Sequence, residues 1–330
     1  MALTSRDIAR AAGVSQATVS RVLNGSPSVS DQTRERVLGA MRDVGYVPNA
    51  QAKAMRTARA GAIGIVTSEI QNPYLPYLLD ELTRIAREMN VNVVVWNDDD
   101  PAMPLATAGV GAGTVDGVLF TAAKQQTLGI DRLVERGVPV LLCNRADLES
   151  TADIVMTDHF GTGVRAAEFL LERGRSHIAA IFGPSDTFAS PAREAGFRQA
   201  LRAAGVEIRA EQTTRGTTTY DTGNRAAREL LAHGVPDAVF CSSDIIAYGA
   251  MDALRAAEVA VPERTWVLGI DGLPMSAWGA FDLTTFEQDI TSIARASVQR
   301  LLDRIAGDTS EPVHTLVPAR LVERGSTGAR

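Results

Sequence analysis

The sequence predicts an α/β protein in two parts: a small helix-turn-helix head of three helices with a hinge behind it, then a doubly wound α/β body. Three observations lead there. Two short helical patterns separated by a glycine turn occupy the first 25 residues. Charge divides sharply along the chain: residues 1–60 hold nine Arg or Lys and four acids, a net +5, while the whole chain carries −6, so the remainder is −11. From Ala62 onward, short β-rich runs alternate with amphipathic helical stretches.

In the head, Thr4 followed by Asp7 reads as a helix N-terminal box, and the first helix is expected to run to about Ala11. Ala12, Gly13 and Val14 form a turn in which glycine is free to take a positive φ. A second helix, Gln16 to Leu23, has Ser15 as its N-cap. Val19, Val22 and Leu23 fall on one face and must meet a core. Gln16, Ala17, Ser20 and Arg21 share the other face, which therefore offers an amide, a methyl, a hydroxyl and a guanidinium. Those groups read adenine, thymine and guanine edges in a major groove about 12 Å wide. A third helix starts near Ser30 and carries Val37, Leu38, Met41 and Val44 as an apolar stripe before Gly45 ends it. An amphipathic bundle with a merely solvated polar face fits the same pattern. The basic head on an acidic body argues against it, because that asymmetry suits a chain of which only the head meets a polyanion.

Composition excludes several classes. With 45 % hydrophobic and 22 % charged residues the chain is globular rather than disordered. No run of about 18 apolar residues indicates a membrane span, and the opening MALTSRDIARAAG lacks the basic-then-apolar order of a secretion signal, so a cytoplasmic protein is expected. Cys143 and Cys241 end apolar runs far apart and read as buried, reduced thiols. Four scattered histidines show no metal-ligand spacing, and Asp98, Asp99 and Asp100 read as a solvated loop. Gly109, Gly111 and Gly113 have the wrong spacing for a dinucleotide fingerprint. Nothing pairs a nucleophile with a base, so no enzyme activity, cofactor or metal is expected.

In the body, AIGIV, VNVVVW, VDGVLF, VPVLLC, IAAIF, DAVFC and WVLGI read as buried parallel strands. Together with weaker runs they exceed what one layer over 260 residues holds, and two are expected. Trp266 lies in a strand pattern and reads as core; Trp278 lies in a loop and reads as covering a cleft or an interface.

The runs DIARAAGVSQATVSRVLNG, VSDQTRERV and GYVPNAQAKAMR resemble the lactose-repressor (LacI/GalR) family of bacterial transcription regulators. The resemblance continues through QNPYLPYLLDEL, SPAREAGFRQAL, CSSDIIAYGAMDAL, VLGIDG and LTTFEQD, from about residue 2 to 325. It implies a periplasmic-binding-protein-like core of two subdomains that the chain crosses between three times. It divides the chain into a DNA-binding domain, 1–47, a hinge helix or linker, 48–60, and a ligand-binding and dimerisation core, 61–330. Within the core, one subdomain takes about 61–157 and 290–316, the other about 158–289 and 317–325. The DNA-contacting set it implies is Thr4, Ser15, Gln16, Ala17, Thr18, Ser20, Arg21 and Asn24 in the head, with Asn49, Lys53, Met55 and Arg56 in the hinge. Paired hinges of a homodimer would enter the minor groove of a palindromic operator, Met55 standing where leucine usually wedges a base step.

The cleft carried over by the resemblance holds Tyr74 and Leu75 against the ligand, Arg193 clamping a hydroxyl or carboxylate, and Asp244 accepting from sugar or base donors. Asn144 stands where many members have Asp, and Asp158, Asp271 and Gln288 are further candidates. The residues alone leave Asp244 open to a plain helix-terminal role and Asp271 to a strand-end one. Thr218 falls where some sugar-binding members place tryptophan, and Asp158-His159 replaces an Asp-Asn pair. The expected activity is ligand-controlled DNA binding, a sugar being the expected effector. The other reading, a solute-binding protein or sugar-modifying enzyme that shares only the body, would not need the head.

Overall fold

The computed structural model describes residues 4–23, 26–46, 59–67, 72–97, 109–121, 130–144 and 151–328. The chain divides into two units, Met1–Ala60 and Gly61–Arg330.

In the first unit, helices α1 (Ser5–Ala11), α2 (Gln16–Leu23) and α3 (Asp31–Asp43) enclose a small core. Ile8, Ala9, Ala12, Val19, Val22, Val29 and Val37 are buried in it. The α1–α2 turn works because Gly13 adopts φ +63°, a conformation that costs a Cβ-bearing residue energy. Ser15 accepts the Thr18 amide at 3.1 Å and so caps α2. The stripe expected on α3 is narrower than its sequence suggests. Val37 is buried and Met41 packs partly against the core, but Leu38 and Val44 are 37 % and 39 % exposed. Two neighbouring helices this short cover about one row of side chains, and Leu38, one residue round from Val37, turns out to solvent.

The second unit is built on two six-stranded sheets. The first sheet takes β1 (Ala62–Thr67), β2 (Asn92–Asn97), β3 (Gly117–Phe120), β4 (Val140–Cys143), β5 (Asp153–Thr157) and β11 (His314–Val317) in the order β11-β5-β4-β3-β1-β2. All its pairings are parallel, as in Ile65 beside Leu119 and Leu142 beside Ile154. The second takes β6 (Ile178–Phe182), β7 (Thr213–Arg215), β8 (Ala238–Cys241), β9 (Trp266–Asp271), β10 (Thr284–Glu287) and β12 (Arg320–Val322) in the order β12-β10-β9-β8-β6-β7. It is parallel except for β12, which runs antiparallel to β10. The chain passes from the first sheet to the second after Thr157, returns after Glu287, and crosses again between Val317 and Arg320.

Helices α4 (Tyr74–Glu88) and α10 (Ile290–Ala306) cover the first sheet, burying Leu78, Leu82, Val298 and Leu301 against Ile63, Ile65 and Leu119. A short helix α5 (Ile130–Glu135) precedes β4. On the second sheet, α6 (His159–Glu172) and α7 (Ala189–Ala203) pack Phe169, Leu170, Phe197 and Leu201 against Phe182 and Phe240. Helices α8 (Tyr220–Leu231) and α9 (Asp244–Ala256) cover its other face through Ala226, Ile246 and Ala250. The run VNVVVW is not a buried strand: β2 lies at a sheet edge and Val95 is 44 % exposed, because an edge strand lacks a neighbour on one side. Trp266 is half-buried at the start of β9, with the Arg175 guanidinium 4.0 Å from its ring centroid.

The approach of α6 to α7 is set by two glycines. A Cβ on Gly163 would stand 2.1 Å from the Arg193 carbonyl oxygen, and one on Gly196 the same 2.1 Å from that of Phe160. Neither backbone can give way without moving a helix, and α7 carries Arg193. Gly163→Ala is therefore expected to cost about 1–3 kcal/mol of stability by overpacking. Urea unfolding should show a lower midpoint with an unchanged slope; a wild-type midpoint would mean that the helices have slack.

Candidate ligand cavity and DNA-reading face

The carboxyl ends of the strands of both sheets converge on one small cavity of about 70 Å³. Open α/β sheets place ligands at that end of their strands, where loops leave the sheet. From the first sheet's side it is lined by Tyr74 and Leu75, at the start of α4, by Thr121 after β3 and by Asn144 after β4. The second sheet's side contributes Arg193 from α7, Ser242 and Ser243 after β8, and Asp271 ending β9; Gln288 follows β10.

The polar centre is a buried ion pair. Arg193 Nη2 donates to Asp271 Oδ1 at 3.2 Å, both side chains being almost wholly buried. The guanidinium also donates through Nη1 to the Ser242 carbonyl at 2.5 Å and through Nε to His159 Nδ1 at 3.3 Å. Asp271 accepts further from Gln288 Nε2 at 2.7 Å and from the Ser243 hydroxyl at 2.6 Å. Gln288 in turn accepts from Thr157 Oγ1 at 2.5 Å. Thr157 and Gln288 stand where the chain passes between sheets, so a continuous line of hydrogen bonds joins two crossovers to the cavity.

Burial pushes the Asp271 carboxyl up while Arg193, Ser243 and Gln288 pull it down. Burial, and then the charge on Arg193, hold His159 well below the usual imidazole range. Because His159 accepts at Nδ1, its proton sits on Nε2, which is buried without a partner among the described residues. The Ser190 hydroxyl is likewise buried without a partner among the described residues; the Tyr74 hydroxyl is buried beside the Asn144 side chain, and both residues line the cavity. Burial drives the Tyr74 phenol upward, with Cys143 and Asp271 adding to the effect, so it stays protonated and able to donate. Backbone strain marks the same place: Asn144 and Asp271 adopt φ +53° and +136°. Residues of this kind persist in such conformations when their surroundings over-determine them, as the three bonds on Asp271 do.

Two of the acids expected in the cleft stand elsewhere. Asp244, at the start of α9, is fully buried but does not line the cavity. Its carboxylate accepts from the Leu273 amide at 2.9 Å, the Ser276 hydroxyl at 2.7 Å and the Thr285 hydroxyl at 2.6 Å. It holds the 3-10 turn Pro274–Ala277 and β10 against α9, away from the cavity. Burial, reinforced by Asp271, raises its carboxyl above the ordinary range. Asp158 caps α6, accepting the Gly161 amide at 2.8 Å, and it too lies off the cavity. Conversely Asp271, for which the sequence leaves a strand-end role open, is the acid at the centre. The hydroxyl residues Thr121, Thr187, Ser190, Ser242 and Ser243 line the cavity without having been singled out by sequence; Thr218, noted only for its departure from tryptophan, joins them. The available signal was position, since four of the lining residues directly follow buried strands. Trp278 is 56 % exposed and does not line the cavity.

The buried thiols Cys143 and Cys241 are unpaired, burial pushing Cys143 up to about 12. Among the described residues no group of three or more His, Cys, Asp or Glu side chains is placed to hold a metal, and no helix is long and apolar enough to cross a membrane.

In the head, Gln16, Ala17 and Arg21 are exposed along one side of α2, and Ser20 is half-buried beside them. Gln16 is pinned to α1, donating to the Ser5 hydroxyl at 2.9 Å and accepting from Arg6 Nε at 3.4 Å. The Arg21 side chain has no hydrogen-bond or ion-pair partner among the described residues. Ser15 and Thr18 are joined through their hydroxyls at 2.9 Å, and the Thr4 amide donates to Asp7 at 2.9 Å. The face thus presents one fixed amide and one free cation. Asn24, Asn49, Lys53, Met55 and Arg56 lie outside the described residues.

Residues 4–49 match the family described as bacterial regulatory proteins, lacI family, and residues 167–327 match the periplasmic binding protein-like domain. The chain is 34 % identical to the HTH-type transcriptional regulator CelR of Thermobifida fusca, over 97 % of this chain and 96 % of that one. It is similar to the solved structure of the transcriptional regulator CelR–cellobiose complex, with a TM-score of 0.75 at 34 % identity and with 98 % and 99 % of the two chains covered. It is also similar to the lac repressor dimer bound to operator and the anti-inducer ONPF, with a TM-score of 0.87 at 27 % identity over the full length of both chains.

Two outcomes follow from this geometry. Asp244→Ala should lower stability by about 2–5 kcal/mol in chemical denaturation, since three buried donors lose their acceptor; an unchanged midpoint would show that the turn does not depend on it. His159 binds no proton in the folded state where the unfolded imidazole does, so its contribution to stability is present above about pH 6.5 and is lost as pH falls below that. Across pH 5 to 6.5, wild type should lose stability relative to His159→Gln, and parallel profiles for the two proteins would contradict this.

Proposed function

The chain belongs to the lacI family of bacterial regulatory proteins, and on that premise we propose that it is a transcriptional repressor whose grip on a palindromic operator is set by a small sugar-class ligand in the body's cavity. The observation that carries the ligand half is the buried Ser190 hydroxyl, unpartnered among the described residues, in a cavity that also holds the buried Tyr74 hydroxyl and the Arg193–Asp271 pair. Buried polar groups are almost always satisfied, and a polyhydroxylated guest supplies the missing partners. The relative that shares 34 % identity was solved with cellobiose, which supports the same class.

Control follows from where the cavity lies. Tyr74 and Asn144 belong to the first sheet's side, Arg193 and Asp271 to the second's. A ligand bonded to both favours one mutual setting of the two halves, and a state it binds better becomes more populated. Thr157 and Gln288 tie that setting to the crossovers. In this reading residues 1–47 are the DNA-binding domain, 48–60 a hinge and 61–330 the ligand-binding and dimerisation core. Thr4, Ser15, Gln16, Ala17, Thr18, Ser20, Arg21 and Asn24 face the major groove or its phosphates. The hinge brings Asn49, Lys53, Met55 and Arg56 to the minor groove in pairs. Two chains acting on a two-fold symmetric site make the working form a homodimer. The lac repressor's crystallisation as a dimer on operator supports this. The protein works on the chromosome, in the cytoplasm, as a binder of DNA and ligand.

Arg21→Ala should cost about 1–3 kcal/mol against the preferred operator and relax base preference, as expected for loss of a bidentate guanine contact. Fluorescence-anisotropy titrations on matched and substituted duplexes check this; an equal loss on every sequence would reassign Arg21 to phosphate. Arg193→Ala should weaken ligand binding at least tenfold in calorimetry, consistent with a charged hydrogen bond worth about 1.5–3 kcal/mol. Unchanged affinity would place the ligand elsewhere.

A further inference from the structure

Gln16 does not project freely from α2, because α1 holds both ends of its amide. Nε2 donates to the Ser5 hydroxyl at 2.9 Å, and Oε1 accepts from Arg6 Nε at 3.4 Å. We infer that Ser5 and Arg6 are positioning residues: they fix the direction of the Gln16 amide and so set the chain's preference at one base pair of each operator half-site. This rests on the proposed reading of α2 as the helix that enters the major groove.

Local structure brings the three side chains together. Ser5 and Arg6 are the first two residues of α1, and Gln16 is the first of α2. Each helix start is tied down by its own cap. Thr4 donates to the Asp7 carboxylate through its amide at 2.9 Å and its hydroxyl at 2.7 Å, and Ser15 accepts the Thr18 amide at 3.1 Å. Ile8 of α1 and Val19 of α2 are wholly buried in one core, which sets the two helices against each other. The backbones carrying Ser5, Arg6 and Gln16 are therefore fixed, and the bonds between them have only a side chain to order. Ser5 is half-buried, and Arg6 and Gln16 are exposed, so the unit lies at the surface.

Direction matters because the two ends of an amide are chemically opposite. A guanidinium only donates, so Arg6 selects the oxygen end of Gln16. A hydroxyl both donates and accepts, so Ser5 holds whichever end faces it without choosing between them. With the amide turned over, Nε2 would meet the Arg6 guanidinium donor against donor. Arg6 thus sets the direction of the amide, and Ser5 sets its position.

The consequence for reading follows from the base edges. Adenine shows the major groove an acceptor and a donor side by side, whereas guanine shows two acceptors. A glutamine free to turn its amide can offer nitrogen or oxygen to either position, and so it answers more than one base. Held by α1, the amide keeps its donor and acceptor ends in an order that cannot be reversed, and it matches one base in one orientation. Glutamine also ranks among the side chains with most rotamer freedom to lose, so ordering it before DNA arrives lowers the entropy lost on binding. Ser5 and Arg6 act in this through Gln16 and need touch no base themselves.

The test is selection of duplexes from a random-sequence library by the full-length protein. Anisotropy titrations then compare the selected duplex with each of its single-base-pair substitutions. Gln16→Ala marks the base pair that Gln16 reads, through the preference lost there. Ser5→Ala and Arg6→Met should each lower preference at that same base pair at least threefold and leave every other base pair as in wild type. The quantity compared is the ratio of affinities for matched and substituted duplexes, so a uniform loss from a missing phosphate contact cancels. In the Gln16→Ala background neither substitution should change the ratio further, because the side chain they hold is gone. Circular dichroism checks that each variant is folded. Wild-type preference at the marked base pair in either variant overturns the inference. So does relaxation at a different base pair, which would make Ser5 or Arg6 a base contact in its own right, and so does a Gln16→Ala variant that relaxes no base pair. Each of these leaves the DNA-binding reading standing, whereas failure of the wild-type protein to select any duplex overturns both.

Discussion

The body depends on one buried ion pair. Arg193 and Asp271 come from a helix and a strand far apart in sequence, and each is dehydrated in the folded chain. Such a pair is tolerable only when every remaining lone pair and proton is spoken for or is reserved for a guest. Here the surroundings meet that demand almost completely. Ser242, Ser243, Gln288 and His159 each give or take one bond, and Gln288 hands the line on to Thr157 at a crossover. The glycine contact between α6 and α7 sets the height at which Arg193 enters. The strained φ of Asp271 is held by the same bonds that neutralise it.

That arrangement explains how one cavity can be both structural and responsive. Its centre is charge-balanced, while its margins carry the buried hydroxyls of Tyr74 and Ser190. In the proposed reading a guest would add bonds at the margins and so join the two halves. Any differential affinity for two settings of those halves becomes a coupling free energy to whatever else distinguishes them. Gln16, pinned to α1, and Arg21, whose side chain is unpartnered among the described residues, suit a surface that is ready to read DNA and needs only to be positioned.

Much of this was legible in the sequence, because periodicity and turn chemistry speak for local structure. The three head helices, the Gly13 turn and the buried strands of both sheets follow from spacing alone. The failures share a cause, which is that pattern reports burial and not what a buried group faces. Asp244 and Asp271 both sit at the carboxyl end of a buried strand, and either could reach a ligand. Only the fold reveals that the Leu273 amide, Ser276 and Thr285 hold Asp244 away from the cavity, whereas Asp271 lines it beside Arg193. Likewise Val95 has the hydropathy of a core residue, and strand order rather than composition leaves it at an edge. Ser190 escaped notice, and Thr218 stood out only as a departure from tryptophan, because a hydroxyl residue on a helix or in a loop has no distinguishing spacing.

The central claim is that ligand cavity and DNA-reading face are energetically coupled on one chain. It is tested most directly by measuring ligand affinity with and without saturating operator, a duplex recovered by selection from random sequence. Linkage requires that whatever factor the ligand imposes on operator affinity, the operator imposes on ligand affinity. The account predicts a change of about 5–150-fold, the range of typical coupling energies. It also predicts that the change is equal in the two directions. Ligand affinity that is the same in the presence and absence of operator would contradict it.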